Sequence, residues 1–389
     1  MYSSLMASVT LQSGKSKLED PNAAAEEALG QLGSGTPKVV FAFIPGPWDQ
    51  VATHRALRTR LPSGVRLISA STGGELTNAG MHQHTLVLGA LYGDIEVGIG
   101  LARGLSRDAA LAGSQAVERA ASELGTRVSA LDRKYGAIVI DDGFKMKKEE
   151  LLLGVLEKNQ GLVLTGGGAS GYEFMKGSGV IGLDGEVFDD AALVMLFRTN
   201  APWAALRSHW FEPTGKRVHL TKVDVANRKI LELDGKPAGP RWGEVVGVPP
   251  EHLTFAFPQH LLSFSLAMRV GREYFLRTIT KSMTGDELES ANLVQEDQEL
   301  EVMTMGDPIA ATRRFFVEEV PRRVPNPKAA ILFDCGARRI HSMMLGKLDE
   351  LGSTLSFAPP CAGLTAQFES YCGFMVNSTL TALVFGSDS

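Results

Sequence analysis

The sequence predicts an α/β protein made of repeated strand, helix, strand, turn, strand units, with an inserted, mostly antiparallel segment in its second half. Three observations carry this. Short runs rich in β-branched and aromatic residues alternate with stretches of helical apolar spacing. The same succession occurs three times, over residues 39–91, 137–197 and 330–385. Between residues 203 and 306 the helical spacing gives way to short strands broken by turn signals.

Residues 1–36 read as an N-terminal extension, with an irregular start and an alanine-rich helix over 22–32, opened by Asp20-Pro21 and stopped by Gly33 and Gly35. In the first unit a strand at 39–44 ends at Pro45-Gly46-Pro47, a helix covers 50–60 and a strand covers 66–70. The turn Ser71-Thr72-Gly73-Gly74-Glu75 then leads to an outgoing strand at 84–91. Ser106 is placed to cap a helix whose stripe of Ala109, Ala112, Ala116, Val117, Ala120 and Leu124 is core. The second unit has a strand at 137–140, a helix at 147–159, a strand at 162–164, the turn Thr165-Gly166-Gly167-Gly168-Ala169-Ser170 and an outgoing strand at 191–197.

The third unit has a strand at 330–334, a helix at 338–351, a strand at 354–357, the turn Ala358-Pro359-Pro360-Cys361-Ala362-Gly363 and an outgoing strand at 379–385. Strands at 217–224 and 273–280, with turn signals at Asp234-Gly235-Lys236-Pro237 and Pro249-Pro250, mark the insertion. Ala201-Pro202, where the second unit ends, divides an α/β domain at 37–201 from another at 202–389.

With 39 Lys and Arg against 44 Asp and Glu, the 389-residue chain has a formal net charge of −5, which excludes a broadly basic nucleic-acid binder. Its 44% hydrophobic and 21% charged residues are those of a chain that folds. Three late cysteines, Cys335, Cys361 and Cys372, make no disulfide framework and point to a reducing compartment. There is no signal-like start and no apolar run of the roughly 18 residues a span requires. The expected setting is the cytoplasm, without membrane or nucleic acid as partner.

Common chemical motifs are missing. Gly14-Lys15-Ser16 lacks the rest of a phosphate loop, and the glycines at 166–171 run into Tyr172-Glu173-Phe174-Met175-Lys176, not into the helix a dinucleotide needs. Ser170 sits in no nucleophile elbow, and no paired cysteines offer a zinc site. His82 and His84 flank Gln83 with no third ligand nearby and read as polar surface.

Repetition itself is the strongest site signal. Turns at equivalent places in three units come to one edge of a sheet, where open α/β folds bind ligands. That nominates Ser71, Thr72, Gly73 and Glu75 from the first unit, Gly167, Gly168 and Ser170 from the second, and Arg338, Arg339 and Asn377 from the third. Cys335 is either a buried small residue or a thiolate favoured by the two arginines. Glu75 and Glu369 could serve as acids or bases, but no nucleophile stands at motif spacing from either.

Ser69 to Glu75, Thr165 to Ser170 with 189–200, Phe211 to Lys216 with Thr221-Lys222-Val223-Asp224, Phe333-Asp334-Cys335 with Arg338-Arg339, and Gly373 to Asn377 with Thr379 together resemble the FIST family of bacterial sensory proteins. The resemblance runs over residues 39–386 and implies FIST N-terminal-type and C-terminal-type α/β domains. It also implies a cytoplasmic small-molecule sensor that signals to a separate partner. The branch it looks nearest to senses nitric oxide through haem and acts on a histidine kinase or a cyclic-di-GMP enzyme.

This chain departs from that branch at Phe374-Met375-Val376-Asn377-Ser378-Thr379, where the branch's histidine is absent. His209, followed by Trp210 and Phe211, is then the candidate haem ligand, since an axial ligand needs a neutral imidazole in an apolar pocket. The ligand is left as haem or a small metabolite, with a homo-oligomer open as a further association. The competing reading is an enzyme using Glu75, Cys335 or Cys361 in the same pocket.

Overall fold

Three copies of one four-stranded unit account for most of the chain. The computed structural model describes residues 7–172, 177–254, 256–281 and 285–388, so residues 173–176 of the run after Tyr172 lie outside it. The first unit contains β1 (Val9–Ser16), α1 (Pro21–Gly30), β2 (Val39–Pro45), α2 (Gln50–Arg60), β3 (Arg66–Thr72), the hairpin β4 (Glu75–Thr77) and β5 (Gly80–His82), and β6 (Leu86–Gly93). The second contains β7 (Glu96–Arg103), α3 (Ala109–Glu123), β8 (Tyr135–Asp142), α4 (Lys148–Leu156), β9 (Val163–Ala169), the hairpin β10 (Ile181–Leu183) and β11 (Glu186–Phe188), and β12 (Ala191–Arg198).

The third unit opens with β13 (Trp203–Ser208) and is interrupted by the insertion. That piece comprises β14 (Phe211–Asp224), β15 (Lys229–Leu233), β16 (Lys236–Pro237), α5 (Ala238–Val246), α6 (Pro258–Leu261), β17 (Phe264–Val270), β18 (Glu273–Arg277), β19 (Ile279–Lys281), β20 (Leu288–Ser290) and β21 (Gln298–Met305). The unit resumes with α7 (Pro308–Arg314), a π turn (Phe315–Glu319), α8 (Val320–Arg323), β22 (Ala329–Cys335), α9 (Gly336–Met344), α10 (Leu348–Ser353), β23 (Cys361–Tyr371), β24 (Phe374–Val376) and β25 (Leu380–Phe385).

Each unit has the same strand order: β1-β6-β2-β3, β7-β12-β8-β9 and β13-β25-β22-β23. The last two strands are parallel in every case, joined by a helical crossover, with registers ending at Pro45↔Thr72, Asp142↔Ala169 and Cys335↔Ala366. Antiparallel pairing links the units in a closed circuit, since β10 pairs with β3, β4 with β23, and β23 with β9. The insertion is its own antiparallel sheet over a separate core around Trp242, Leu266 and Leu300.

Strand alternation explains the layers. Phe41 and Phe43 of β2, Ile138 and Ile140 of β8, and Ile331 and Phe333 of β22 point into one shared inner core. Their neighbours point outward beneath helices: Val40 and Ala42 under α1 and α2, Val139 under α3 and α4, Leu332 beside the π turn. Two-sided burial makes these strands read as continuous apolar runs. Among the described residues no helix is long and apolar enough to cross a membrane.

Several elements differ from their sequence reading. The supposedly irregular start holds β1, which pairs with β6 along its whole length, so residues 9–16 belong to the first sheet. The α3 cap is Asp108, whose carboxylate accepts from the Leu111 amide, while the Ser106 hydroxyl donates to Asp190. Thr165 to Ala169 is strand β9 and not a turn, because β8 and β23 close on it from both sides. Residues 354–357 form a 3-10 turn, and the strand expected there starts at Cys361. The helix read over 338–351 is two helices, separated near Gly346 at φ 66°. Finally, β13 pairs with β25 in the same sheet that contains β7, β8, β9 and β12, so this sheet crosses the position Ala201-Pro202.

Candidate functional site

The closed circuit brings the C-terminal ends of the three parallel pairs together. A glycine follows the first strand of each pair, Gly46 after β2, Gly143 after β8 and Gly336 after β22. At two of them a side chain would collide with the neighbouring unit: a Cβ on Gly46 would sit 2.9 Å from the Gly171 Cα, and one on Gly143 would sit 2.5 Å from the Gln367 Cβ. Hydrogen bonds tie the ends into one floor. The Ser170 amide donates to the Ser71 carbonyl at 2.9 Å, the Gly73 amide donates to Ser170 Oγ at 2.9 Å, and Ser170 Oγ donates to the Thr365 carbonyl.

A groove lies on this floor. Its polar part, about 170 Å³, is bounded by Gly73, Ser170, Tyr172, Arg339, Thr365 and Gln367. Its apolar part, about 160 Å³, is bounded by Met146, Cys335, Ala337, Phe368 and Asn377. Gly336, Ala366 and Gln367 line both parts, and Ser170 and Tyr172 continue the polar part toward Ser71 and Phe144.

Arg339 dominates the polar part. It is only 6% exposed, yet its Nη1 has no hydrogen-bond partner, and neither has the nearby Thr365 Oγ1. Gly74 makes room for the guanidinium, since a Cβ there would lie 2.8 Å from Nη1. Burial pulls the Arg339 pKa below the usual arginine value, with Glu75 acting in the opposite sense. Glu75 itself is buried behind the groove and is pushed up to about 8 by desolvation, against the pull of the Thr85 amide, Arg339 and Tyr172. Burial thus favours the neutral form of Glu75 and weakens its compensation of the arginine's charge, while Asp334 acts on Arg339 in the same sense as Glu75.

The other nominated residues divide. Ser71, Gly73, Ser170 and Arg339 line the groove, and Asn377 lines its apolar part, its amide 2.6 Å from that of Asn292. Thr72 is fully buried and closes its own turn by accepting from the Gly74 amide at 3.0 Å. Gly167 and Gly168 lie inside β9, packed against Ala366, Phe333 and the backbone at Gln367 and Gly143, and do not line the groove. Arg338 is turned into the core, where its Nε donates to Asp334 at 2.5 Å, Nη2 donates to Thr312 Oγ1 at 3.2 Å, and the guanidinium lies 4.2 Å from the Trp210 ring centroid.

The cysteines are thiols. Burial, then Glu369, holds Cys335 well above the ordinary thiol value, and burial pushes Cys361 up to about 12. Arginine activation of Cys335 is thus not what the geometry provides.

His209 does not fit a haem ligand. Its Nδ1 accepts from the Phe211 amide at 3.2 Å, and a second ring hydrogen bond runs to the Tyr274 backbone. Trp210 and Phe211 are buried in the core and wall no slot, while the cleft beside His209 is lined by Arg207, Arg272, Arg322 and Arg323. A porphyrin needs a free imidazole nitrogen and apolar walls.

Tyr172, Thr365 and Gln367 escaped the sequence reading. The glycine after each first strand was the available signal for the floor; Thr365 and Gln367, inside a continuous buried strand, gave none.

Among models of known families, that of the FIST N domain matches residues 38–236, more than half of the chain. No curated protein matches. Solved structures with some likeness include cyanuric acid hydrolase from A. caulinodans, 9% identical with a TM-score of 0.36 over 97% of this chain and 99% of that one. Others are PurLQS from Thermotoga maritima, 10% identical, TM-score 0.22, over 98% and 74%, and T. maritima PurL complexed with FGAR, 12% identical, TM-score 0.20, over 98% and 73%. At these TM-scores the likenesses carry no functional argument.

Proposed function

The chain belongs to the FIST family, whose domains sense small ligands, and from that premise we propose that it is a sensor for a small anionic metabolite held in the groove between its three units. A carboxylate, or an anion of similar size, sits against Arg339 in the polar part, and the ligand's less polar remainder extends past Gly336 and Ala366 toward Phe368. The carrying observation is the unpartnered Arg339 Nη1 beside the unpartnered Thr365 Oγ1. A buried donor of this kind costs stability unless something accepts from it, and a guanidinium is matched best by a planar carboxylate. Occupancy is signalled to a separate regulatory partner, a histidine kinase or a cyclic-di-GMP enzyme. His209 holds no haem in this reading, because its ring nitrogens are engaged by the Phe211 amide and the Tyr274 backbone.

The test is calorimetric titration of the purified protein with a panel of small carboxylates. Arg339→Gln is expected to weaken the best binder by about ten- to a hundredfold, the worth of one charge-assisted hydrogen bond, without lowering Tm. Arg339→Lys should recover part of the loss. Binding that survives Arg339→Gln undiminished removes the reading.

A further inference from the structure

We infer that the chain carries a second anion site, away from the groove, that takes a small organic phosphate. The site is a cleft of about 310 Å³ between the end of β13, the start of β18, the helical turns at 314–323 and the end of β23. Its volume lies at the lower end of small-molecule sites, about 300–1,000 Å³.

Charge is the first argument. Five arginines line the cleft against two glutamates, Glu273 and Glu319. Glu273 is taken by Arg207 at 3.0 Å, and Glu319 lies 4.0 Å from Arg314. Arg272, Arg322 and Arg323 have no ion pair among the described residues.

Preorganisation is the second. The Arg207 side chain is only 8% exposed, lies 4.5 Å from the Phe275 ring centroid and 5.4 Å from that of Tyr371, and has a buried Nε without a partner. A guanidinium clamped in this way has lost its rotamer freedom before any ligand arrives, so binding does not incur that cost. The exposed Arg272, Arg322 and Arg323 form a rim around the buried Arg207. His209, in the same wall, is pushed down to about 4 by burial, then by Arg207 and Arg338, so the cleft's positive charge comes from its arginines.

These features select the chemistry. One carboxylate would leave two of the three unpaired cations uncompensated, whereas a phosphate ester brings up to two negative charges and three acceptor oxygens that guanidinium forks match in pairs. Tyr274 and Tyr371 in the wall supply hydroxyls and ring faces for the organic part.

The experiment uses the full chain and two probes, pyrophosphate and a nucleoside 5′-monophosphate, titrated calorimetrically at low and at raised salt. Saturable binding that weakens with salt is expected. The double variant Arg322→Glu/Arg323→Glu, at exposed positions, should lower affinity for both probes at least tenfold with Tm unchanged. Arg207→Lys, which keeps the charge and loses the fork, should lower it severalfold. Carboxylate binding at Arg339 should be untouched by the rim variants, and phosphate binding untouched by Arg339→Gln, so failure of one site is distinguishable from failure of the other. The proposal is overturned by absence of saturable phosphate binding, by equal binding to wild type and double variant, or by saturable binding of an acidic peptide with none of phosphate.

Discussion

Successive residues on an α-helix are turned by about 100°, so Arg338 and Arg339, at the start of α9, look in different directions. Arg338 faces back along β22, where Asp334 stands four residues earlier, and is consumed by that pair and by Trp210. Arg339 lines the groove, and its unpartnered Nη1 is buried beside Gly74 at the groove's edge. The sequence showed two cations beside an acid and gave no means to tell them apart, because the distinction rests on the orientation of a helix that starts only at Gly336. Glu75 carries the residue-scale prediction. Its carboxyl titrates near 8 in the folded chain, well above an ordinary glutamate near 4.3. The folded state therefore binds more protons than the unfolded state over that interval, and stability should fall as pH rises toward and through 8. Glu75→Gln removes the ionisation, so urea midpoints of the variant and wild type, compared at pH 5 and pH 8.5, should diverge in favour of the variant at the higher pH. Parallel midpoint curves would mean that Glu75 is solvated and ordinary.

At the scale of elements, glycine misled and then informed. Glycine is depleted in strands, so the run Gly166-Gly167-Gly168 reads as a turn. It is a strand because the parallel partner β8 and the antiparallel partner β23 approach too closely for side chains, a property of neighbours absent from the local sequence. The inner and outer faces of β2, β8 and β22 were legible for the opposite reason, since two-sided burial writes itself as an unbroken apolar run. A strain of the reverse kind appears on β23, where Phe368 adopts φ 62° at a bulge between the pairs Gln367↔Gly168 and Glu369↔Gly167. A bulky residue in the left-handed region costs of order 1 kcal/mol that glycine avoids. Phe368→Gly should therefore be more stable than Phe368→Ala by about that amount, reversing the usual strand preference, as thermal melts of both variants can measure. An alanine variant equal to or more stable than the glycine variant would show that the bulge relaxes when the ring is removed.

The three-unit circuit belongs to the whole molecule, and sequence could announce the repetition but not the closure. Closure depends on three-residue strands, Glu75–Thr77 and Ile181–Leu183, and on the extra length of β23, none of which carries a readable period. Its consequence is cooperative. The inner core draws Phe41, Ile138 and Phe333 from three units, and Trp203 of the third unit packs edge-on against Phe197 of the second at 4.8 Å. Removing any unit would expose both a strand edge and an apolar face, so the three units are expected to unfold together. The chain's four tryptophans, Trp48, Trp203, Trp210 and Trp242, allow this to be read locally. Variants keeping only Trp48, in the first unit, or only Trp203, in the third, should show the same urea midpoint and slope by fluorescence. Trp242 lies in the separate core of the insertion and supplies an independent reporter. If the Trp48 transition precedes that of Trp203 by more than the fitting error, the units unfold separately, and the groove between them is an interface between domains and not a cleft in one core.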